Sequence, residues 1–142
     1  MLKIFKNELD DEVVKKINTI EDNCWINLVR PTNEEIKGVV DTLGIDEDLI
    51  TKVLDAEELP RVEKTDNATL IVVDCPYMID NREKNKYTTY PLGIIVCNDL
   101  HVITVSLKEF EILGDFEKGM VKTFYTYKKS RFLIQILMKT AS

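Results

Sequence analysis

Four short runs of β-forming residues, Val62 to Thr65, Thr69 to Val73, Thr88 to Val96 and His101 to Ser106, crowd the stretch between Arg61 and Ser106. Turn formers separate neighbours, Asp66-Asn67 between the first two and Asn98-Asp99 between the last two, while the polar stretch Asp80 to Lys86 supplies a longer connection. Those signals describe an antiparallel meander.

Ahead of the meander the apolar spacing turns helical. Thr32-Asn33-Glu34-Glu35 is a capping box, in which the Thr32 hydroxyl and the Glu35 carboxylate each satisfy a backbone N–H left orphaned at a helix start. Ile36, Val39, Val40 and Leu43 then share one face, and Gly44 stands where a left-handed C-cap is wanted. Asp46 can cap a second helix with an apolar stripe of Leu49, Ile50, Val53 and Leu54, ended by Pro60. Cys24 to Val29 reads as a short buried strand stopped by Arg30-Pro31, since a residue before proline is pushed from helical angles. Leu2 to Lys6 alternates as a first strand. Glu12 to Ile20 fits strand or short helix and is read as strand. Lys108 to Lys118 reads as a short helix, stopped by Gly114 or Gly119.

The last segment, Ser130 to Ser142, has Phe132, Leu133, Ile136 and Leu137 on one side and Ile134 with Met138 on a second. It carries no glycine or proline stop and no polar tail. The pattern is that of a helix that continues, which divides the chain into a domain over 1–129 and the root of a longer helix over 130–142.

With 142 residues, 44% apolar and 31% charged, the chain fits one folded domain. The balance of 19 Lys plus Arg against 25 Asp plus Glu, net −6, argues against a nucleic-acid partner. Apolar stretches such as Leu92 to Cys97 are far below the roughly 18 residues that cross a bilayer. Cys24, Cys75 and Cys97 are widely spaced, form no C-x-x-C pair and read as small buried hydrophobes, and the first ten residues resemble no signal peptide. A reducing, cytosolic setting is expected.

Chemistry is sparse. The single histidine, His101, opens a β-run with no partner at a suggestive spacing, and nothing selects one cysteine as a nucleophile. No glycine-rich phosphate loop is present. The chain is read as a non-enzyme without bound cofactor; an enzyme working through Asp74, Cys75 or His101 is the rival that thiol reactivity would test. Asp46, Glu47 and Asp48 sit at a helix start, where the macrodipole accounts for them. Asp55, Glu57 and Glu58 could offer oxygens to Mg²⁺ but match no defined metal loop, so surface charge is the preferred reading. Glu8, Asp10, Asp11 and Glu12 read as a solvated turn.

Taken in order, Trp25-Ile26-Asn27-Leu28, Pro31-Thr32 with the Glu34-Glu35 helix, Leu43-Gly44-Ile45, Val53-Leu54-Asp55 and Pro60-Arg61-Val62-Glu63 form a recognisable series. Asn67 to Val73, Leu92 to Val105 and Arg131 to Met138 extend it. The series resembles the N-terminal cytoplasmic domain of the CorA family of magnesium and cobalt transporters. The resemblance implies an α/β fold, a mixed and largely antiparallel sheet flanked by helices on both faces. It implies a cytoplasmic regulatory or scaffold domain, at the inner face of the cell membrane, of a homopentamer whose long stalk helix leads to a transmembrane region downstream. Mg²⁺ is then the implied transported ion. A free-standing cytosolic interaction module of the same fold is the alternative.

The resemblance also implies a Mg²⁺-sensing site between subunits, with acids two and three residues ahead of the Leu54-Asp55 step and another in the stalk. This chain has Lys52 and Thr51 at the first two positions and Lys139 at the third. No metal is therefore expected at that position. Lys52 or Lys139 is instead expected to supply an ammonium to an ion pair between subunits, with Asp55, Glu57 or Glu58.

Overall fold

Three strands open the fold: β1 (Leu2–Lys6), β2 (Lys15–Ile17) and β3 (Trp25–Val29), with β1 antiparallel to both others. The computed structural model describes residues 1–80 and 86–141. After β3 come helices α1 (Asn33–Leu43) and α2 (Asp48–Thr51). Strands β4 (Arg61–Lys64), β5 (Ala68–Asp80), β6 (Lys86–Cys97) and β7 (His101–Ser106) follow, then α3 (Glu111–Glu117) and α4 (Lys129–Ala141). The strands make one seven-stranded sheet of order β2-β1-β3-β7-β6-β5-β4. Its β4 to β7 half is the expected meander, and β7 closes it by running parallel to β3, with Trp25 opposite Val102 and Leu28 opposite Val105.

Alternation sends side chains to two cores, one on each face. On one face Ile26, Leu28, Ile95, Ile103 and Val105 pack under Ile36, Val39, Leu43, Leu49 and Ile50 of α1 and α2. On the other Trp25, Leu92, Ile94 and Val102 pack under Leu113, Phe116, Phe132 and Ile136 of α3 and α4. Each such side chain, fully buried, contributes roughly 1.5–3 kcal/mol relative to exposure. The molecule is an α/β fold, its mixed and largely antiparallel sheet flanked by helices on both faces.

Local chemistry accounts for the first helix. Thr32 Oγ1 accepts from the Glu35 N–H at 3.1 Å, Glu35 Oε1 accepts from the Thr32 N–H at 2.9 Å, and Gly44 takes φ 68°. Asn98 and Asp99 both take φ 53° in the tight β6–β7 turn, a conformation these side chains tolerate.

Elsewhere tertiary contacts revise the sequence reading. The strand expected over Glu12–Ile20 contracts to Lys15–Ile17 at the sheet edge. The second helix keeps one turn: Asp46 Oδ1 accepts from the Asp48 N–H at 3.0 Å, but the chain leaves the helix after Thr51. Val53 is buried against Gly93, where an added Cβ would lie 2.6 Å from a Val53 methyl. Helix α3 runs through Gly114 and stops before Gly119. Strand β5 continues past the expected end at Val73, through Pro76 to Asp80. Beyond Val72 it has lost β4 and pairs with β6 alone, so a proline lacking an N–H fits at an open edge. In the expected connection Asp80–Lys86, residues 81–85 lie outside the described residues.

Candidate functional site

Helix α4 seats its root in an aromatic socket. The Trp25 indole meets the rings of Phe5, Phe124 and Phe132 at centroid distances of 5.0, 5.9 and 5.1 Å. Phe132 also lies 4.5 Å from Phe124 and 5.2 Å from Phe116. The edge-on pairs Trp25–Phe124, Trp25–Phe132 and Phe116–Phe132 add about 0.5–1.5 kcal/mol each beyond their buried area. The segment entering α4 is tied down by a buried clamp: Asn7 Nδ2 donates to the Phe124 carbonyl at 3.0 Å, and the Thr126 N–H donates to Asn7 Oδ1 at 2.7 Å. Lys129 then donates to Asn23 Oδ1 at 2.9 Å.

The two apolar sides read from the sequence part company here. Phe132 and Ile136 are fully buried, whereas Ile134 and Met138 are 55% and 68% exposed. No described helix is long and apolar enough to cross a membrane.

Thr51 ends α2 and Lys52 caps it on one face of the sheet, and Lys139 belongs to α4 on the other. The sheet separates Lys139 from Thr51 and Lys52 within the chain. Lys52 Nζ lies 3.3 Å from Glu63 Oε1, and Arg61 bridges Glu63 at 3.0 Å and Glu58 at 2.6 Å. These contacts hold the Glu63 carboxyl below its ordinary range, Arg61 contributing most and Lys52 next. Of the three acids singled out, Glu58 is thus engaged by Arg61, and Asp55 Oδ1 accepts from the Glu57 N–H at 3.0 Å in a local turn. Among the described residues no group of three or more His, Cys, Asp or Glu side chains is arranged to hold a metal. Lys139 lines a cleft of about 760 Å³ with Tyr77, Tyr87, Glu109 and Glu111.

The structure does bring His101 to a cysteine, which spacing did not reveal. Cys24 and His101 each stand one residue ahead of the first parallel β3–β7 pair, Trp25 with Val102, and Cys24 Sγ lies 3.7 Å from His101 Nδ1 inside the core. Burial pushes the Cys24 thiol up and the imidazole down, which favours two neutral groups over a thiolate–imidazolium pair. Cys75 faces the opposite core, its thiol pushed up to about 12 by burial, and Asp74 is exposed. Asp74, Cys75 and His101 do not form one site.

Sequence reasoning missed the residues that hold α4, namely Asn7, Phe124 and Thr126, because each acts through a partner remote in the chain. It also missed Lys108, whose ammonium lies 5.4 and 5.2 Å from the Tyr77 and Tyr90 ring centres and fastens the outer half of β5–β6 to the body.

A mixed sheet that seats the root of a terminal helix on one face, and leaves that helix a second apolar side exposed, defines an α/β domain built around a docked helix. The family model for the CorA-like Mg2+ transporter protein matches residues 21–141, and the chain belongs to that family. The cobalt/magnesium transport protein CorA of Methanocaldococcus jannaschii is 29% identical over 94 residues, covering 66% of this chain and 28% of that protein. The solved soluble domain of CorA from the same organism matches with TM-score 0.77 at 22% identity, over 99% of this chain and 55% of that one. The complete structure of that magnesium transporter matches with TM-score 0.75, over 99% of this chain and 44% of the other. At such identity the structural likeness is one of fold. This chain spans less than a third of the length of the curated relative. Members of this family are transporters rather than enzymes, in keeping with the non-enzyme reading.

Proposed function

We propose that this chain is the cytoplasmic regulatory or scaffold domain of a CorA-like divalent-cation transporter, with Mg²⁺ as the transported ion and a homo-oligomer, pentameric in the full-length protein, as its assembly. The observation that carries this reading is helix α4, which buries Phe132 and Ile136 and presents Ile134 and Met138 outward. A helix anchored at its root with a second apolar side is suited to continue as a stalk against neighbouring copies. The test is the reading frame beyond codon 142. Two apolar stretches of at least about 18 residues are expected there, and a stop codon directly after Ser142 would overturn the proposal in favour of a free-standing interaction module.

The family's regulatory Mg²⁺ does not fit the residues present. Thr51, Lys52 and Lys139 supply one hydroxyl and two ammonium groups where oxygen anions are needed. At an effective dielectric of about 20, unit charges 4 Å apart interact by roughly 4 kcal/mol, so each lysine would repel a divalent ion by about twice that. The Lys52–Glu63 pair supports the same reading, since it already engages the Glu63 carboxylate within the chain. Lys52 or Lys139, paired across a subunit boundary with Asp55, Glu57 or Glu58, then does the work of the ion. Isothermal titration with MgCl₂ should show no saturable site, and Lys52→Asp with Lys139→Asp should make self-association Mg²⁺-dependent. Tight Mg²⁺ binding by the unaltered chain, or a double variant indifferent to Mg²⁺, would overturn this part.

A further inference from the structure

Beneath α3 a row of buried polar groups crosses the sheet in a single direction. Trp25 Nε1 donates to Thr104 Oγ1 at 2.8 Å, and the Thr104 hydroxyl donates to Asn27 Oδ1 at 2.9 Å. Asn27 Nδ2 donates to Glu117 Oε2 at 3.0 Å, and that carboxylate also receives the Lys3 ammonium at 2.8 Å. Trp25, Asn27 and Thr104 are buried, whereas Lys3 and Glu117 reach the surface.

This arrangement has two physical consequences. Each donor polarises the next bond, and the row ends on a charge, so its members strengthen one another. In addition, the indole that begins the row is the floor of the α4 socket, meeting Phe132 edge-on at 5.1 Å. A tryptophan ring in an apolar pocket is positioned by shape alone unless its N–H is fixed. Here the N–H is fixed through two further side chains to a carboxylate at the surface.

We propose that Glu117 is a surface control point for the seat of α4, acting through Asn27 and Thr104 on the Trp25 ring against which Phe132 docks. Anything that draws Glu117 from Asn27, whether an added cation or a partner competing with Lys3, loosens the root of α4 without touching it. Asn27, Thr104 and Glu117 are positioning residues, and the effect is local to the face that carries α3 and α4.

Native-state hydrogen exchange on this chain tests the proposal, with amides 132–137 of α4 compared against amides 36–40 of α1 on the opposite face. Glu117→Ala and Thr104→Val are each expected to speed α4 exchange about tenfold while α1 changes less than about twofold. The double variant should be no faster than the quicker single, because both break one row. Asp41→Ala, at an exposed position of α1 on the other face, should leave α4 unchanged. Equal acceleration of α1 and α4, additive effects in the double variant, or no acceleration would each overturn the proposal. Should Glu117→Ala fail to fold, Glu117→Leu, which offers Asn27 no acceptor, carries the same comparison: acceleration confined to α4 supports the proposal, and uniform or absent acceleration overturns it.

Discussion

The rings of Trp25 and Phe132 meet at 5.1 Å with their planes 74° apart, joining the interior strand β3 to the first turn of α4. Phe132 is fully buried and touches three aromatic neighbours, so its removal leaves a cavity that rigid rings cannot collapse to fill. Phe132→Ala should cost about 3–5 kcal/mol in urea unfolding. Ile134→Ser, about half a turn away on the exposed side, should stay within about 0.5 kcal/mol. Equal losses at the two positions would contradict the docked geometry.

Acid should destabilise the fold through His101. Burial lowers its pKa, the Lys129 charge adds to the drop and Asp22 opposes it. The unfolded chain therefore takes up a proton near pH 6.5 while the folded chain resists until lower pH, so stability is complete above that value and lost below it. The urea midpoint should fall between about pH 7 and pH 5, and His101→Gln should flatten that fall. A variant that keeps the full pH dependence would assign it elsewhere.

Burial also makes the thiols inert. Cys75 is pushed up to about 12 and Cys97 to about 11, and Cys24 is raised as well. Iodoacetamide at about pH 8 should leave the folded chain unlabelled and modify all three cysteines in denaturant. Rapid labelling of one cysteine in the folded chain would revive the enzyme reading.

Gly93 and Val53 form a notch and its filler. A Cβ at Gly93 would lie 2.6 and 3.0 Å from the two Val53 methyls, which a β-branched side chain in a packed core cannot readily withdraw. Gly93→Ala should cost about 1–3 kcal/mol by overpacking. Adding Val53→Ala should cost less than the two single losses together, and strict additivity in thermal unfolding would refute the contact.

What could be read without coordinates is what short stretches of chain decide. The Thr32 capping box, the Gly44 C-cap, the Asn98-Asp99 turn and the two-sided α4 each depend on groups within a turn or two of one another, and all stand where their residues predicted. The ordered series from Trp25 to Met138 likewise carried the family and, through it, both faces of helices.

Tertiary structure decided the rest. The length of β5 past Pro76 depends on which strands are missing beside it, the single turn of α2 on Val53 reaching Gly93, and the pairing of Cys24 with His101 on β7 lying parallel to β3. The Lys3–Glu117–Asn27–Thr104–Trp25 row has no signature in spacing, because a hydrogen bond is set by a distance of about 3 Å and sheet order alone brings these residues that close. Local rules fix which backbone shapes are cheap, whereas contacts between remote side chains are chosen by how those shapes stack.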